Sequence, residues 1–188
     1  MIHIPQSTTL GFKIFDVPTT TWELIQECYS KTKDLEYYEH WEGKEHFITG
    51  TGNTTVFPIG NFPEYGKLIH SQLHQLHQEW CGYEIEPSFV YGIRSYKEGS
   101  KLETHVDRIE THHISSIILV DKDIDNQNDW GLNITDHDGN NHIVYLEPGE
   151  MILYESAICE HGRIEPFKGN FYNNLFVHYK FKDYKHIN

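Results

Sequence analysis

Apolar residues recur at helical spacing in two stretches of the first half of the chain, then give way to short β-branched and aromatic runs. Trp22, Ile25 and Tyr29 form one apolar stripe and predict a helix over about residues 19–35, with Thr19, Thr20 and Thr21 as its N-cap. Tyr65, Leu68, Ile69, Leu73, Leu76 and Trp80 predict a second helix over about 62–80. From Ser88 onward the texture is that of strands: 89–93, 114–120, 131–135, 142–146, 150–154 and 171–181. The segments 136–141 (DHDGNN) and 147–150 (EPGE) supply turns between them. Many short strands after a helical preface predict a mainly β (α+β) domain of jelly-roll kind. Residues 1–87 form its helical N-terminal support, packed outside, and residues 88–181 its core. Such a barrel has a mouth, and a metal bound there sits in a water-poor pocket open on one side.

Composition narrows the class. In 188 residues, 38% hydrophobic and 14% aromatic content suffices for one real core and excludes a disordered chain. A formal charge of −13 opposes close approach to a phosphate backbone, and no Lys/Arg run offsets it, which disfavours nucleic acid as a partner. Cys28, Cys81 and Cys159 are odd in number and lack C-x-x-C spacing, so they read as buried thiols in a reduced, cytoplasmic setting. No run approaches the 18 apolar residues of a membrane span, and no signal peptide is expected.

The chemistry lies in His105-Val106-Asp107 and in His161, which follows Asp107 by 54 positions. His105 and Asp107 occupy an extended segment, where residues i and i+2 share a face and can chelate one ion. Two imidazoles and one carboxylate hold a ferrous ion by one face and leave three positions open, the arrangement of non-haem iron oxygenases. His77-Gln78-Glu79 offers the same residue types on a helix, where residues two apart do not face each other. His40-Trp41-Glu42 has no strand-like run around it. His70, His74 and His77 read as solvated decoration of one helical face, and His112-His113 as strand-edge surface near the mouth. Tyr37, Tyr38 and Trp41 read as aromatic packing onto the barrel, with a substrate groove as the alternative. Cys159, two residues before His161, keeps a non-catalytic structural zinc site open as a rival.

Over residues 88–181 the chain resembles the prolyl-4-hydroxylase-like branch of the 2-oxoglutarate- and Fe(II)-dependent oxygenases. The ordered set of motifs carries the resemblance: Tyr96-Lys97-Glu98-Gly99, then His105-Val106-Asp107, the strand 114–120 and the segment 130–134 (WGLNI). Pro148-Gly149-Glu150, His161, Lys168-Gly169 and the aromatic strand from Phe171 complete it. The resemblance implies a double-stranded β-helix with His105, Asp107 and His161 as Fe(II) ligands. It further implies 2-oxoglutarate and O2 as cosubstrates, release of succinate and CO2, and hydroxylation of a C–H bond on a peptide or amino-acid substrate. Asp107 favours hydroxylation, because related halogenases lack this carboxylate. Where the family usually carries a basic residue for the distal carboxylate of 2-oxoglutarate, this chain has Phe171. Arg163 is the first substitute, since it shares a face with His161 and its planar fork suits a carboxylate. Lys168 is the second and Arg94 the third. Tyr96 matches a tyrosine lining the cosubstrate pocket, and Tyr172 is placed to add a hydroxyl. A nucleic-acid demethylating oxygenase of the same superfamily is the alternative, opposed by the acidic charge.

Overall fold

A computed structural model describes residues 4–125 and 129–183. The strands are β1 (Phe12–Asp16), β2 (Tyr37–Tyr38), β3 (Ile48–Gly50), β4 (Thr54–Phe57), β5 (Ile85–Val90), β6 (Ile93–Tyr96), β7 (Ser100–His105), β8 (Ile114–Ile124), β9 (Leu132–Thr135), β10 (Asn141–Val144), β11 (Glu150–Tyr154), β12 (His161–Arg163) and β13 (Gly169–Phe181). The helices are α1 (Thr19–Thr32) and α2 (Pro63–Cys81).

The strands form two sheets with antiparallel pairings. The larger runs β1-β11-β8-β13-β6-β4-β2, with β5 also paired to β13, and the smaller runs β10-β9-β12-β7-β3. Alternation along the strands of the larger sheet divides the protein into two cores. Ile117, Leu119, Ile152, Tyr172 and Phe176 face the smaller sheet and pack with its Leu102, Leu132 and Ile134. Ile118, Leu153, Leu175 and Val177 point the other way and share a core with Ile25 and Cys28 of α1 and Ile69 and Leu73 of α2. The helices thus cover the back of the larger sheet and leave the space between the sheets for a site.

The helices fall close to their expected bounds, but the cap of α1 does not. Thr19, Thr20 and Thr21 lie inside the first turn, Pro18 is the N-cap, and no side chain caps the helix. Pro18, at φ −53° and ψ 135°, turns the chain into the helix, and its carbonyl accepts the first bond, from Trp22 N–H. Nor is the first half only a helical support. It supplies β1 to β4, which join both sheets: β1 pairs with β11, β4 with β6, and β3 with β7. The expected single strand 89–93 is broken into β5 and β6 at Tyr91-Gly92. A Cβ on Gly92 would lie 2.4 Å from Val56 Cγ1 and 2.8 Å from the Phe57 carbonyl oxygen, so close approach of β4 demands glycine there.

Residues ahead of β1 are tied to the loop that follows β11. Buried Glu155 accepts from Ser7 N–H at 2.9 Å and Ser7 Oγ at 3.1 Å, from Thr8 N–H at 2.8 Å and Thr8 Oγ1 at 2.7 Å, and pairs with His137 Nε2 at 3.0 Å.

Candidate metal centre

β7 and β12 are neighbours in the smaller sheet, and their register sets His105 directly opposite His161. Gly162 permits this: a Cβ there would lie 2.8 Å from the Leu102 carbonyl oxygen and 3.0 Å from Thr104 Cα. Asp107 leaves the end of β7 and is held by its own N–H, which donates to the Ser156 carbonyl at 2.8 Å. Asp107 Oδ1 then lies 3.7 Å from His105 Nε2 and 3.9 Å from His161 Nε2, and one ligand atom from each residue falls within 4.8 Å of the others. Among the described residues no fourth His, Cys, Asp or Glu joins this group.

Both imidazoles are aimed. The Nδ1 of His105 is 2.7 Å from the Glu103 carbonyl oxygen, and that of His161 is 3.0 Å from the Cys159 carbonyl oxygen. A carbonyl only accepts, so Nδ1 carries the proton in each ring and the Nε2 lone pair faces Asp107, the tautomer a metal needs. Burial lowers the His161 imidazole to about 4. Burial also lowers His105, with His161 beside it adding to the effect. Burial raises the Asp107 carboxyl, against the pull of His112 and His105. Neutral imidazoles beside a carboxylate that lacks a cation of its own form a donor set that suits a hard-to-borderline divalent ion.

The rival histidines do not converge on any carboxylate. His40 is exposed. His77 is fully buried in α2, with Nδ1 2.8 Å from the Leu73 carbonyl. The expectation that His70, His74 and His77 are solvated is therefore wrong. This face of α2 packs on β13, and the three rings surround Tyr179 at centroid distances of 5.1, 5.9 and 4.6 Å. The reading of His112-His113 as surface is corrected as well. His113 is buried and stacks on Phe181, and His112 lies against His178 with centroids 3.8 Å apart. Cys159 points away from the ligands, its Sγ 3.7 Å from the Gly11 carbonyl oxygen, and burial pushes its thiol up to about 12. That environment opposes a zinc-binding thiolate.

The three basic candidates lie in different settings. Lys168 is exposed and, like Arg163, lines neither cavity at the centre. Arg94 does line the centre, but its guanidinium is taken by Glu39 through a bond of 2.7 Å from Nη2 and two from Nε. Burial alone would raise Glu39; Arg94, with Thr54 and Tyr91 donating at 2.6 and 2.7 Å, more than offsets it and holds the carboxyl below its usual range. Removing one side of a buried pair leaves the other charge uncompensated, so Glu39→Ala is expected to cost about 3–5 kcal/mol in a denaturant melt, and Glu39→Gln less.

Arg163 is 2% exposed and sits between the sheets, its guanidinium 4.7 Å from the centroids of both Trp130 and Tyr172. Nη1 donates to the Trp130 carbonyl. Pairing with Glu155 or Glu160, the structural alternative for this residue, is not what the fold does: among the described residues no carboxylate lies within salt-bridge distance of Arg163. Tyr96 and Tyr172 are both fully buried, each edge-on to Trp130 at 4.9 and 5.5 Å, and Tyr96 Oη accepts from Arg94 at 3.3 Å.

Sequence reasoning missed Glu39, Asn174 and His178. Tyr172, Asn174, Phe176 and His178 alternate along the inner face of β13, from Arg163 at one end to Asp107 at the other, where His178 Nδ1 is 3.8 Å from Oδ2. Between these ends Asn174 is buried with neither amide atom hydrogen-bonded. The period-two pattern of the strand was the available signal.

Two cavities share Arg94, His105 and Asp107. A narrow one of about 130 Å³ continues inward past His161, Tyr154 and His178. The wider one, about 550 Å³, opens outward between Trp41, Phe47, Phe89 and Tyr91.

Compared with solved structures, the chain has the fold of the 2-oxoglutarate- and Fe(II)-dependent oxygenases. One such structure is a Pseudomonas putida prolyl-4-hydroxylase, at TM-score 0.65 and 15% identity, covering 93% of this chain and 94% of that one. A 2OG-Fe(II) oxygenase family oxidoreductase from Burkholderia pseudomallei gives 0.63 at 14% identity, with 90% and 85% covered. HygX of Streptomyces hygroscopicus, solved with nickel, 2-oxoglutarate and hygromycin B, gives 0.64 at 11% identity, with 96% and 86% covered. No protein-family model matches the sequence, and no curated protein matches it.

Proposed function

We propose that the protein is an Fe(II)- and 2-oxoglutarate-dependent dioxygenase that hydroxylates a C–H bond of a peptide or amino-acid substrate, built on a double-stranded β-helix. The observation that carries this reading is the three-residue centre itself, with His105 and His161 Nε2 turned onto Asp107 and no fourth protein ligand among the described residues. A structural zinc site would be closed by a fourth ligand. When bound, iron would supply the oxidising chemistry: 2-oxoglutarate is decarboxylated to succinate and CO2, one oxygen atom of O2 ending in succinate and the other in the new hydroxyl of the substrate, while the protein positions and shields.

The residues also fit the cosubstrate. Arg163 is a buried cation with no acid partner among the described residues, which is costly unless an anion joins it. It lies two residues past His161 on one strand, a step of about 6.6 Å that suits the reach of a five-carbon diacid. In this reading Arg163 pairs with the distal carboxylate, the Asn174 amide gains a partner, and Tyr172 and Tyr96 wall the pocket. Arg94, neutralised by Glu39, and Lys168, exposed, fall behind it. His178, its Nδ1 bonded to Ser115 at 2.7 Å, lies 3.8 Å from Asp107 Oδ2, an oxygen with no hydrogen bond among the described residues.

The substrate class follows from the wider cavity and from charge. A net −13 repels oligonucleotides, and among the described residues no helix is long and apolar enough to cross a membrane. Anaerobic titration of the Fe(II) protein with 2-oxoglutarate is expected to raise a weak visible metal-to-ligand charge-transfer band. A featureless titration, with iron bound, would sink the proposal.

A further inference from the structure

The wider cavity is built for more than exclusion of water. A row of rings leads outward from the centre: His105 contacts Phe47 edge-on at 5.2 Å, and Phe47 contacts Trp41 at 5.7 Å. Phe89 and Tyr91, 5.9 Å apart, line the same space. Two donors on lining residues have no protein acceptor among the described residues, one shut off from solvent and the other exposed at the mouth. The Trp41 indole Nε1 is buried without a hydrogen bond, and the Arg108 guanidinium, one residue past Asp107, has no hydrogen bond or ion pair among the described residues. Arg94, the other cation lining it, is already satisfied by Glu39. A buried indole N–H without a partner is costly, and among the described residues no carboxylate pairs with Arg108 in spite of the acidic composition.

From this arrangement we infer that the primary substrate is a hydrophobic carboxylic acid, such as an acylated amino acid with a free carboxylate, whose acid group docks on Arg108 while its apolar body fills the aromatic slot. This rests on the oxygenase reading only for what then happens to the substrate; the subsite itself requires no iron. The acidic surface does not conflict with it. Charges beyond about 10 Å are screened at ordinary ionic strength, whereas a guanidinium–carboxylate contact acts at hydrogen-bond range. The slot also discriminates against a polar nucleoside, which would leave its ring donors and acceptors facing Phe47 and Phe89 without partners.

The test compares N-acetyl-L-phenylalanine with its uncharged isostere N-acetyl-L-phenylalaninamide, measured by calorimetric titration of the metal-free protein. The acid is expected to bind at least about 10-fold more tightly, in the range of one charge-assisted hydrogen bond. Arg108→Gln, a change at an exposed position, is expected to remove most of that preference. Trp41→Phe, which trims the indole to a smaller ring on the wall of the apolar slot, is expected to weaken both probes. Equal affinity of acid and amide for the wild-type protein would overturn the inference, as would an acid preference that survives Arg108→Gln. Failure is separable from failure of the oxygenase reading. An Arg108-dependent acid preference in a protein that gives no charge-transfer band keeps the subsite and removes the oxygenase. A charge-transfer band without acid preference does the reverse.

Discussion

His161→Ala is expected to abolish tight Fe(II) binding and turnover while leaving the fold in place, and His105→Ala and Asp107→Ala are expected to do the same. None of the three is a main element of either core; the packing between the sheets comes from residues such as Leu119, Leu132, Ile152 and Phe176. The site, in contrast, has no redundancy, because among the described residues only these three donors converge. Asp107→Glu is also expected to fail: one added methylene shifts the carboxylate by about a carbon–carbon bond, in a centre where ligand distances must hold within about 0.2 Å. Iron content after desalting and circular dichroism together check this. Wild-type iron affinity in any of the alanine variants would remove that residue from the centre.

Arg163→Ala is expected to raise the 2-oxoglutarate concentration for half-saturation about 30- to 150-fold, corresponding to a charge-assisted contact of about 2–3 kcal/mol, with iron affinity little changed. Arg163→Lys is expected to recover only part of the loss, since an ammonium presents no planar fork and stacks less well between Trp130 and Tyr172. Arg163 also packs, so Arg163→Met, which keeps apolar bulk, separates lost charge from lost packing. Arg94→Gln is the discriminating partner. If it weakens 2-oxoglutarate binding and Arg163→Met does not, the anchor is Arg94, released from Glu39 when the cosubstrate enters.

What could be read from the sequence was whatever is local. His105 and Asp107 share a strand face at a spacing of two, and the strands 114–120, 150–154 and 171–181 carry their own period, so these strands and the candidate His105–Asp107 pair were legible. The strands of the first half were not. β2 has two residues, and all four residues of β4 are buried, so neither shows an alternation of apolar and polar positions. The histidines of α2 were misread for a related reason: packing on Tyr179 buries polar rings that any single-helix pattern assigns to solvent. Glu39 was invisible because its importance comes from Arg94, 55 positions away in the chain. Pairings of that kind belong to the tertiary structure alone.

The fastening of Ser7 and Thr8 to Glu155 reaches further than the edge of the fold. Glu155 lies on the loop that presents Cys159, whose carbonyl orients His161, and Cys159 itself rests on Gly11. The amino-terminal residues are in effect the outermost brace of a metal ligand, tensioned through one buried carboxylate. A recombinant chain trimmed past Thr8, or one whose fusion partner pulls that segment away, would carry every ligand of the centre and still present a differently aimed imidazole.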